Sequence, residues 1–168
     1  FGGTSVGTIE RIKKVSEIVK NYVKKRYSVI VVCSAMSGST NELIKKSKEI
    51  SNNFSDAEYD VLVSSGEQVS CSLIAGRLVH LGLKSRSWTA WQVPIFTENK
   101  HKFSRINQIN KSKLLNYLKS GGVPIITGFQ GINQYDRITT IGRGGSDSTA
   151  IMLAKFFKAD KCLSLIHI

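Results

Sequence analysis

Residues 140–150 combine the chemical groups that hold an anionic ligand. They read Thr-Ile-Gly-Arg-Gly-Gly-Ser-Asp-Ser-Thr-Ala and lead into an apolar run that predicts a helix. A helix N-terminus presents unpaired N–H groups with a partial positive charge, and glycines let a ligand approach the backbone closely. Arg143 adds a planar guanidinium, which grips a carboxylate or a phosphate with two hydrogen bonds. The composition therefore favours a ligand site over an ordinary capped turn.

Residues 1–7, Phe-Gly-Gly-Thr-Ser-Val-Gly, form a second glycine-bearing segment ahead of a predicted helix. Gly2 and Gly7 have the separation of the two glycines of a P-loop, but Thr8 stands where that motif has lysine. The Walker motif is therefore excluded. A backbone nest for phosphate and a tight strand-to-helix turn both remain compatible with the segment.

Two more segments have the composition of a site. Residues 34–41 are rich in hydroxyls and follow a predicted strand, so they form either a ligand loop or a helix start capped by Ser39 or Thr40. Residues 64–67 place Glu67 beside a glycine within an apolar segment. That carboxylate is either a partner for the helix dipole or the receptor for a substrate ammonium.

The remaining reactive side chains show no catalytic or metal-binding spacing. No two of the three histidines have metal-ligand spacing, and no Ser–His–acid order is present. The odd number of cysteines and the absence of a CxxC motif argue against a disulfide framework. Their apolar surroundings predict buried free thiols in a reducing cytoplasm. These cysteines are Cys33, Cys71 and Cys162.

Length and composition predict one cytoplasmic domain. The 168 residues, 41% of them hydrophobic, suffice for one sizeable core. No apolar run approaches the ~20 residues that span a bilayer, so no membrane partner is expected. The first residues carry no basic region followed by an apolar stretch, as a secretory signal would. The chain begins with Phe1 rather than Met, so we expect further residues upstream.

The formal net charge of +12 raises the question of a nucleic-acid partner. The basic residues concentrate on predicted helices, where they alternate with apolar positions. No aromatic side chains interleave with them to form a stacking platform. We therefore expect solvated helix faces with a general attraction for anionic ligands, and no nucleic-acid partner.

Hydrophobic periodicity predicts strands that alternate with helices. Helices are expected at 7–25, 41–50, 111–119 and 148–157, with two more that begin near Asp56 and at Glu67 around a break at 64–66. Strands are expected at 28–33, 85–89, 123–127 and 162–166, with a hairpin at 132–139. This alternation predicts an α/β fold, a three-layer α/β/α sandwich around a mainly parallel sheet. Residues 34–41 and 128–130 follow predicted strands, at the edge where open α/β sheets bind ligands.

Taken together, the motifs resemble the catalytic domain of aspartokinases, within the amino-acid kinase superfamily. The matching segments, in order, are 1–6, 34–41, 65–68, 128–131 and 142–147. The resemblance covers about residues 1–162 and implies the amino-acid kinase fold, also called carbamate kinase-like. It implies transfer of the ATP γ-phosphoryl group to the side-chain carboxylate of L-aspartate. The product, 4-phospho-L-aspartate, opens the route to lysine, diaminopimelate, threonine and methionine.

Elementary chemistry agrees with that implied reaction. A carboxylate with a pKa near ~3.9 is already ionised at neutral pH, so it needs no general base. Catalysis then reduces to in-line positioning and to neutralising charge on the transferring group.

The resemblance also implies roles for individual residues. Phe1, Gly2, Gly3, Thr4 and Ser5 would lie at the ATP phosphates. Thr40, Glu67, Arg143, Gly144, Gly145 and Ser146 would form the aspartate pocket. By charge, Glu67 suits the α-ammonium and Arg143 a carboxylate, while Asp147 and Arg143 would be the catalytic groups. Mg²⁺ would travel with ATP, bound mainly through phosphate oxygens, and no metal site made by the protein alone is expected.

The chain departs from the family pattern at both ends. The family has a lysine directly before Phe1, and after Cys162 it continues into Thr-Asp-Val-Asp-Gly, where this chain has residues 163–168. We expect residues 1–162 to be a partial catalytic domain, 163–168 to be a divergent or non-native tail, and the regulatory ACT domains to be absent. The full-length protein is expected to be a homo-oligomer. The alternative is a non-catalytic remnant that at most binds aspartate or a partner chain.

Overall fold

The computed structural model of the chain describes residues 1–142 and 144–165. The helices are α1 Ile9–Lys24, α2 Ser39–Ile50, α3 Asp56–Val63, α4 Ser65–His80, α5 Ser112–Lys119 and α6 Gly145–Phe157. The strands are β1 Val31–Cys33, β2 Ser85–Trp88, β3 Ile95–Thr97, β4 Ile106–Ile109, β5 Val123–Thr127, β6 Gln130–Ile132 and β7 Ile138–Thr140.

A parallel sheet with the strand order β1-β5-β2 forms the centre of the molecule. Every residue of β5 is buried, which explains why four of its five residues are apolar, since a strand covered on both faces has no solvent side. One face packs on α1 and α4 through residues such as Val15, Ile74 and Leu78. The other packs on α5 and α6 through Leu114 and Leu153. The predicted three-layer α/β fold is confirmed.

A second sheet has the strand order β4-β3-β6-β7 and is mostly antiparallel. Its β6–β7 hairpin confirms the predicted one, with Ile132 opposite Ile138. Strands β3 and β4 were not predicted. They have three and four residues, and a register shift between Phe96 and Thr97 interrupts their pairing. Segments this short do not show the alternation of apolar and polar residues by which a strand is predicted.

Several predicted boundaries change in the structure. The strand expected at 28–33 is limited to Val31–Cys33, the residues that pair with β5. The expected break at 64–66 is narrower, since α3 ends at Val63, α4 begins at Ser65 and only Ser64 lies between them. Helix α6 begins at Gly145 rather than at Ser148. The motif residues Ser146 and Asp147 are therefore part of its first turn.

The last predicted strand is wrong over residues 162–165, which form no strand in the structure. The carbonyl of Leu165 accepts a hydrogen bond from the Ser5 hydroxyl at 3.0 Å instead of joining a backbone ladder. Residue 166, the end of that predicted strand, lies outside the described residues. Cys162 is exposed, contrary to expectation, whereas Cys33 and Cys71 are buried free thiols as expected.

The helices were also compared with the requirements of a membrane span. Within residues 1–142 and 144–165, none has both the length and the apolar character needed to cross a bilayer.

Candidate functional site

The carboxyl ends of β1 and β5 bring two of the polar segments side by side. The two strands are parallel neighbours, with Cys33 opposite Thr127. The Gly128 N–H then donates to the Cys33 carbonyl at 3.0 Å, which extends the pairing past the strands. The segments that begin at Ser34 and at Gly128 therefore leave the sheet next to each other, at the edge where open α/β sheets bind ligands.

The glycine-bearing segment at residues 1–7 joins the same edge. The Ser34 N–H donates to the Phe1 carbonyl at 3.1 Å, so Phe1 lies beside the end of β1. A turn follows, closed by the Ser5 N–H on the Gly2 carbonyl at 2.9 Å. A Cβ on Gly3 would lie 3.0 Å from the Ala35 carbonyl oxygen, so this turn packs directly on the segment after β1.

For residues 34–41, the structure decides one of the two alternatives, the helix start capped by Ser39 or Thr40. Gly38, with φ of 86°, occupies the N-cap of α2, and no side chain caps that helix. Capping by Ser39 or Thr40 is therefore wrong, because both residues belong to the first turn. Thr40 is half-buried there. A glycine is required at the cap because this left-handed backbone disfavours residues with a Cβ.

Side chains of helix α4 bind the backbone of the segment that follows β1. The Ala35 N–H donates to Glu67 Oε1 at 3.1 Å, and the Ser70 hydroxyl donates to the Ser34 carbonyl at 2.6 Å. A Cβ on Gly66 would lie 2.8 Å from the Ala35 Cβ. Only glycine allows this approach, which explains why Gly66 stands inside a helix despite its low helix propensity.

Glu67 is a buried carboxylate with one oxygen available. The residue is 3% exposed, and burial raises the pKa of its carboxyl to about 7, although the hydrogen bond from Ala35 partly opposes that shift. Its Oε2 has no hydrogen-bond partner among the described residues. A desolvated carboxylate in this state favours a cationic partner, because the pairing stabilises its ionised form.

The start of α6 packs against the residues after β5. A Cβ on Gly128 would lie 2.6 to 2.8 Å from three atoms of Ser146, including its Cα. Phe129 has φ of 67°, which is uncommon for a bulky side chain. Its N–H donates to the Thr149 hydroxyl at 3.2 Å, and its carbonyl accepts from the Ile141 N–H at 2.9 Å. Both ends of the arginine-bearing segment are thereby tied to residues 128–129.

The residues of that segment differ in exposure. Gly144, with φ of 70°, is the N-cap of α6 and is exposed, whereas Gly145 is buried. Ser146 is half-buried and Asp147 is exposed. Arg143 lies outside the described residues, so its predicted role stays a prediction.

A cavity of about 290 Å³ unites three of the four predicted segments. Phe1, Gly2, Ser34, Ser146 and Asp147 line it, and residues 162–164 close another side. There the Ser164 hydroxyl donates to Asp147 Oδ1 at 3.2 Å. Thr40 and Glu67 do not line this cavity. Glu67 instead touches the backbone of Ala35, the residue that follows Ser34.

Two buried polar residues near the site were given no role from the sequence. Gln130 is fully buried, and its Nε2 donates to the Ser64 carbonyl at 2.9 Å, directly before α4. Asp60 is fully buried on α3 and accepts hydrogen bonds from Thr140 and from the Lys102 backbone. The available signal for Asp60 was its place in the apolar run 59–63, where a charged residue is buried only when it has partners.

Protein side chains do not form a metal cluster in the described part of the chain. Across residues 1–142 and 144–165, no group of three or more His, Cys, Asp or Glu side chains lies close enough to hold an ion.

A helix-covered parallel sheet with glycine-bearing loops at its carboxyl edge places this protein in the class of open-sheet α/β proteins. The family model described as the amino acid kinase family matches residues 1–167, and the chain belongs to that family. The chain is similar to the aspartokinase of Rickettsia conorii, with 50% identity over 165 residues, which are 96% of this chain and 41% of the relative. The predicted resemblance is confirmed. The chain spans about two fifths of the length of such curated relatives.

Solved structures agree with this assignment. The aspartate kinase of Synechocystis superposes with a TM-score of 0.81 at 40% identity, covering 96% of this chain and 26% of that one. Aspartokinase III of Escherichia coli, in complex with aspartate and ADP, superposes with a TM-score of 0.83 at 25% identity, covering 96% of this chain and 46% of that one.

Proposed function

We propose that the protein phosphorylates the side-chain carboxylate of L-aspartate with ATP, giving 4-phospho-L-aspartate, the first step toward lysine, diaminopimelate, threonine and methionine. The observation that carries this proposal is the meeting of the predicted segments at the carboxyl ends of β1 and β5, with the unpaired oxygen of Glu67 beside them. The similarity to aspartokinases supports it, one of them in complex with aspartate and ADP.

Residues 1–5 are proposed to receive the phosphates of ATP. A Cβ on Gly2 would meet nothing within 4 Å, although Gly2 lines the cavity. Packing within the described chain therefore does not require glycine at this position, whereas close approach of a phosphate to the backbone would. Gly3 is needed for packing on Ala35, and Phe1, Thr4 and Ser5 complete the turn around it.

Mg²⁺ is proposed to arrive with the nucleotide. It prefers carboxylate and phosphate oxygens and usually keeps only one or two protein ligands. The carboxylate of Asp147 lines the cavity, so the donor set fits an ion held mainly by phosphate oxygens. The ion would neutralise charge on the transferring group, and Asp147 and Arg143 would keep the reacting groups in line.

The aspartate pocket is proposed to use opposite charges at its two ends. Glu67 would pair with the α-ammonium, and Arg143 would bind a carboxylate by two hydrogen bonds. Thr40, Gly144, Gly145 and Ser146 would shape the pocket between them. We further propose that the full-length protein is a cytoplasmic homo-oligomer that needs no nucleic-acid or membrane partner.

The reaction itself is tested on the full-length protein. A coupled assay should detect ADP release that depends on L-aspartate and is absent with L-asparagine, which lacks the acceptor carboxylate. ADP release at the same rate without L-aspartate would contradict the proposal. Aspartate binding without any turnover would instead support the alternative of a non-catalytic remnant.

Arg143→Ala is expected to weaken L-aspartate binding to this chain at least tenfold. Removing a charge-assisted pair of hydrogen bonds typically costs about 1.5–3 kcal/mol. Isothermal titration calorimetry measures the change, and Arg105→Ala, which removes an exposed arginine before β4, is the matched control. Equal affinities in wild type and Arg143→Ala would remove Arg143 from the pocket.

A further inference from the structure

Asp60 is the centre of a buried polar cluster that the proposed chemistry does not use. It is fully buried on α3, and the Thr140 hydroxyl donates to its Oδ1 at 2.6 Å. His101 Nδ1 lies 2.7 Å from its Oδ2. The Lys102 N–H donates to both oxygens at 3.2 and 3.1 Å. A buried carboxylate is tolerated only when it is paired in this way, so the cluster joins three separate chain segments firmly.

The cluster lies directly against the segment that carries the arginine. Thr140 is the last residue of β7 and immediately precedes residues 141–145. Its carbonyl accepts from the Ser104 N–H at 2.9 Å. A Cβ on Gly142 would lie 2.8 Å from the Phe103 ring. Residues 102–104 therefore pack against Gly142, and Asp60 fixes their position by accepting from the Lys102 N–H.

The same cluster is joined to Glu67 by helical backbone. Only Ser64 separates α3 from α4, and Glu67 lies in the first turn of α4. The Gln130 side chain donates to the Ser64 carbonyl, which fixes the junction between the two helices. Two exposed ion pairs on α3, Lys102–Asp56 and Arg137–Glu58, join the same segments but contribute little, since water screens them.

We propose that Asp60 is a positioning residue, which through Thr140 and Lys102 sets the distance between Glu67 and residues 141–142, the start of the arginine-bearing segment. This inference rests on the proposed function, in which Glu67 and that segment hold opposite ends of L-aspartate. Asp60 acts on this pocket only through Thr140 and Lys102, so it affects the spacing of the groups that bind L-aspartate. A fixed distance discriminates L-aspartate from L-glutamate, which is one methylene longer, and such a methylene is worth about 1–3 kcal/mol in a well-shaped pocket.

Thr140→Val and Thr140→Ser form the decisive pair of variants. Valine has nearly the shape of threonine but lacks the hydroxyl, so Asp60 Oδ1 loses a donor, whereas serine retains it. In the ligand-free chain, hydrogen exchange at the Ile141 and Gly145 amides should rise at least tenfold in Thr140→Val. The Ile125 and Ile126 amides of β5 should be unchanged, and Thr140→Ser should behave as wild type.

Calorimetry adds a readout that general destabilisation would not produce. Thr140→Val should bind L-aspartate about tenfold more weakly, and the ratio of its affinities for L-aspartate and L-glutamate should narrow. Thr140→Ser should keep the wild-type ratio. An unchanged ratio together with unchanged exchange at residues 141–145 would overturn the positioning role.

The two proposals can fail separately. If wild type binds no L-aspartate, the proposed function fails, while hydrogen exchange at Ile141 and Gly145 still decides whether Asp60 holds the segment. If Thr140→Val also exposes β5 to exchange, His101→Gln is used instead, since it disturbs Asp60 Oδ2 from a half-exposed position. Local exchange in His101→Gln should rise at residues 102–104 and 141–145, and wild-type rates there would overturn the proposal.

Discussion

Glu67→Gln is expected to weaken L-aspartate binding about a hundredfold or more and, at the same time, to stabilise the ligand-free chain at alkaline pH. The binding loss follows from removing the charge opposite a desolvated ammonium, for which truncation of one partner costs 2–5 kcal/mol or more, so about 3 kcal/mol is a central value. Glutamine keeps the side-chain shape and an oxygen that can accept from the Ala35 N–H, so this contact at 3.1 Å is retained.

The stability gain follows from the direction of the pKa shift. Burial raises the pKa of Glu67 from 4.5 to about 7, so between these values the folded chain holds a proton that the unfolded chain has lost. The free energy of unfolding therefore falls as pH rises through this window and stays low above it. With 1.36 kcal/mol for each pKa unit, the loss in wild type is about 3 kcal/mol at pH 8 and close to zero at pH 4.

Urea denaturation at pH 4 and pH 8 tests this coupling of stability to function. Glu67→Gln should match wild type at the lower pH and exceed it at the higher one, because glutamine does not ionise. Glu49→Gln is the matched control, since that carboxylate is 63% exposed in a surface pair with Lys45. A constant stability difference across pH would show that Glu67 is not desolvated, and undiminished aspartate affinity would show that it does not receive the ammonium.

Gly128→Ala is expected to disrupt the start of α6 and with it the candidate site. The new Cβ would lie within 2.8 Å of the Ser146 Cα, a backbone atom that cannot move aside by side-chain rotation. Overpacking of this kind costs about 1–3 kcal/mol. The displacement would also move Ser146 and Asp147, which line the cavity, so binding of both L-aspartate and ATP should fall at least tenfold.

Gly76→Ala is the control for Gly128→Ala. Gly76 lies within α4, and a Cβ there would meet nothing within 4 Å. The substitution should leave ligand binding unchanged and raise the free energy of unfolding by about 0.5–1 kcal/mol, because alanine favours the helix. If Gly128→Ala were as stable as wild type and bound both ligands normally, the contact between Gly128 and Ser146 would not matter for the site.

The sequence alone determined the α/β class of the fold, three strands of its parallel sheet and the segments that follow them. The mainly apolar run at 123–127 predicted a strand, and the apolar period across residues 7–25 predicted the helix that the structure shows as α1. Both signals are local, since burial on two faces or on one helix stripe leaves a short-range pattern of residue types. Likewise, glycine, hydroxyl and charged residues next to predicted strands identified the segments that meet at the carboxyl edge.

Only the tertiary structure decided which groups in these segments touch. Asp60 meets Thr140 across 80 positions of sequence, and Glu67 meets Ala35 across 32. No local pattern records such a partner, because hydrogen bonds of this kind depend on how helices pack on the sheet. The same reason explains the unpredicted strands β3 and β4 and the helix that continues through Gly66. In each case the conformation is set by a neighbour distant in sequence, against which only that backbone or that small residue fits.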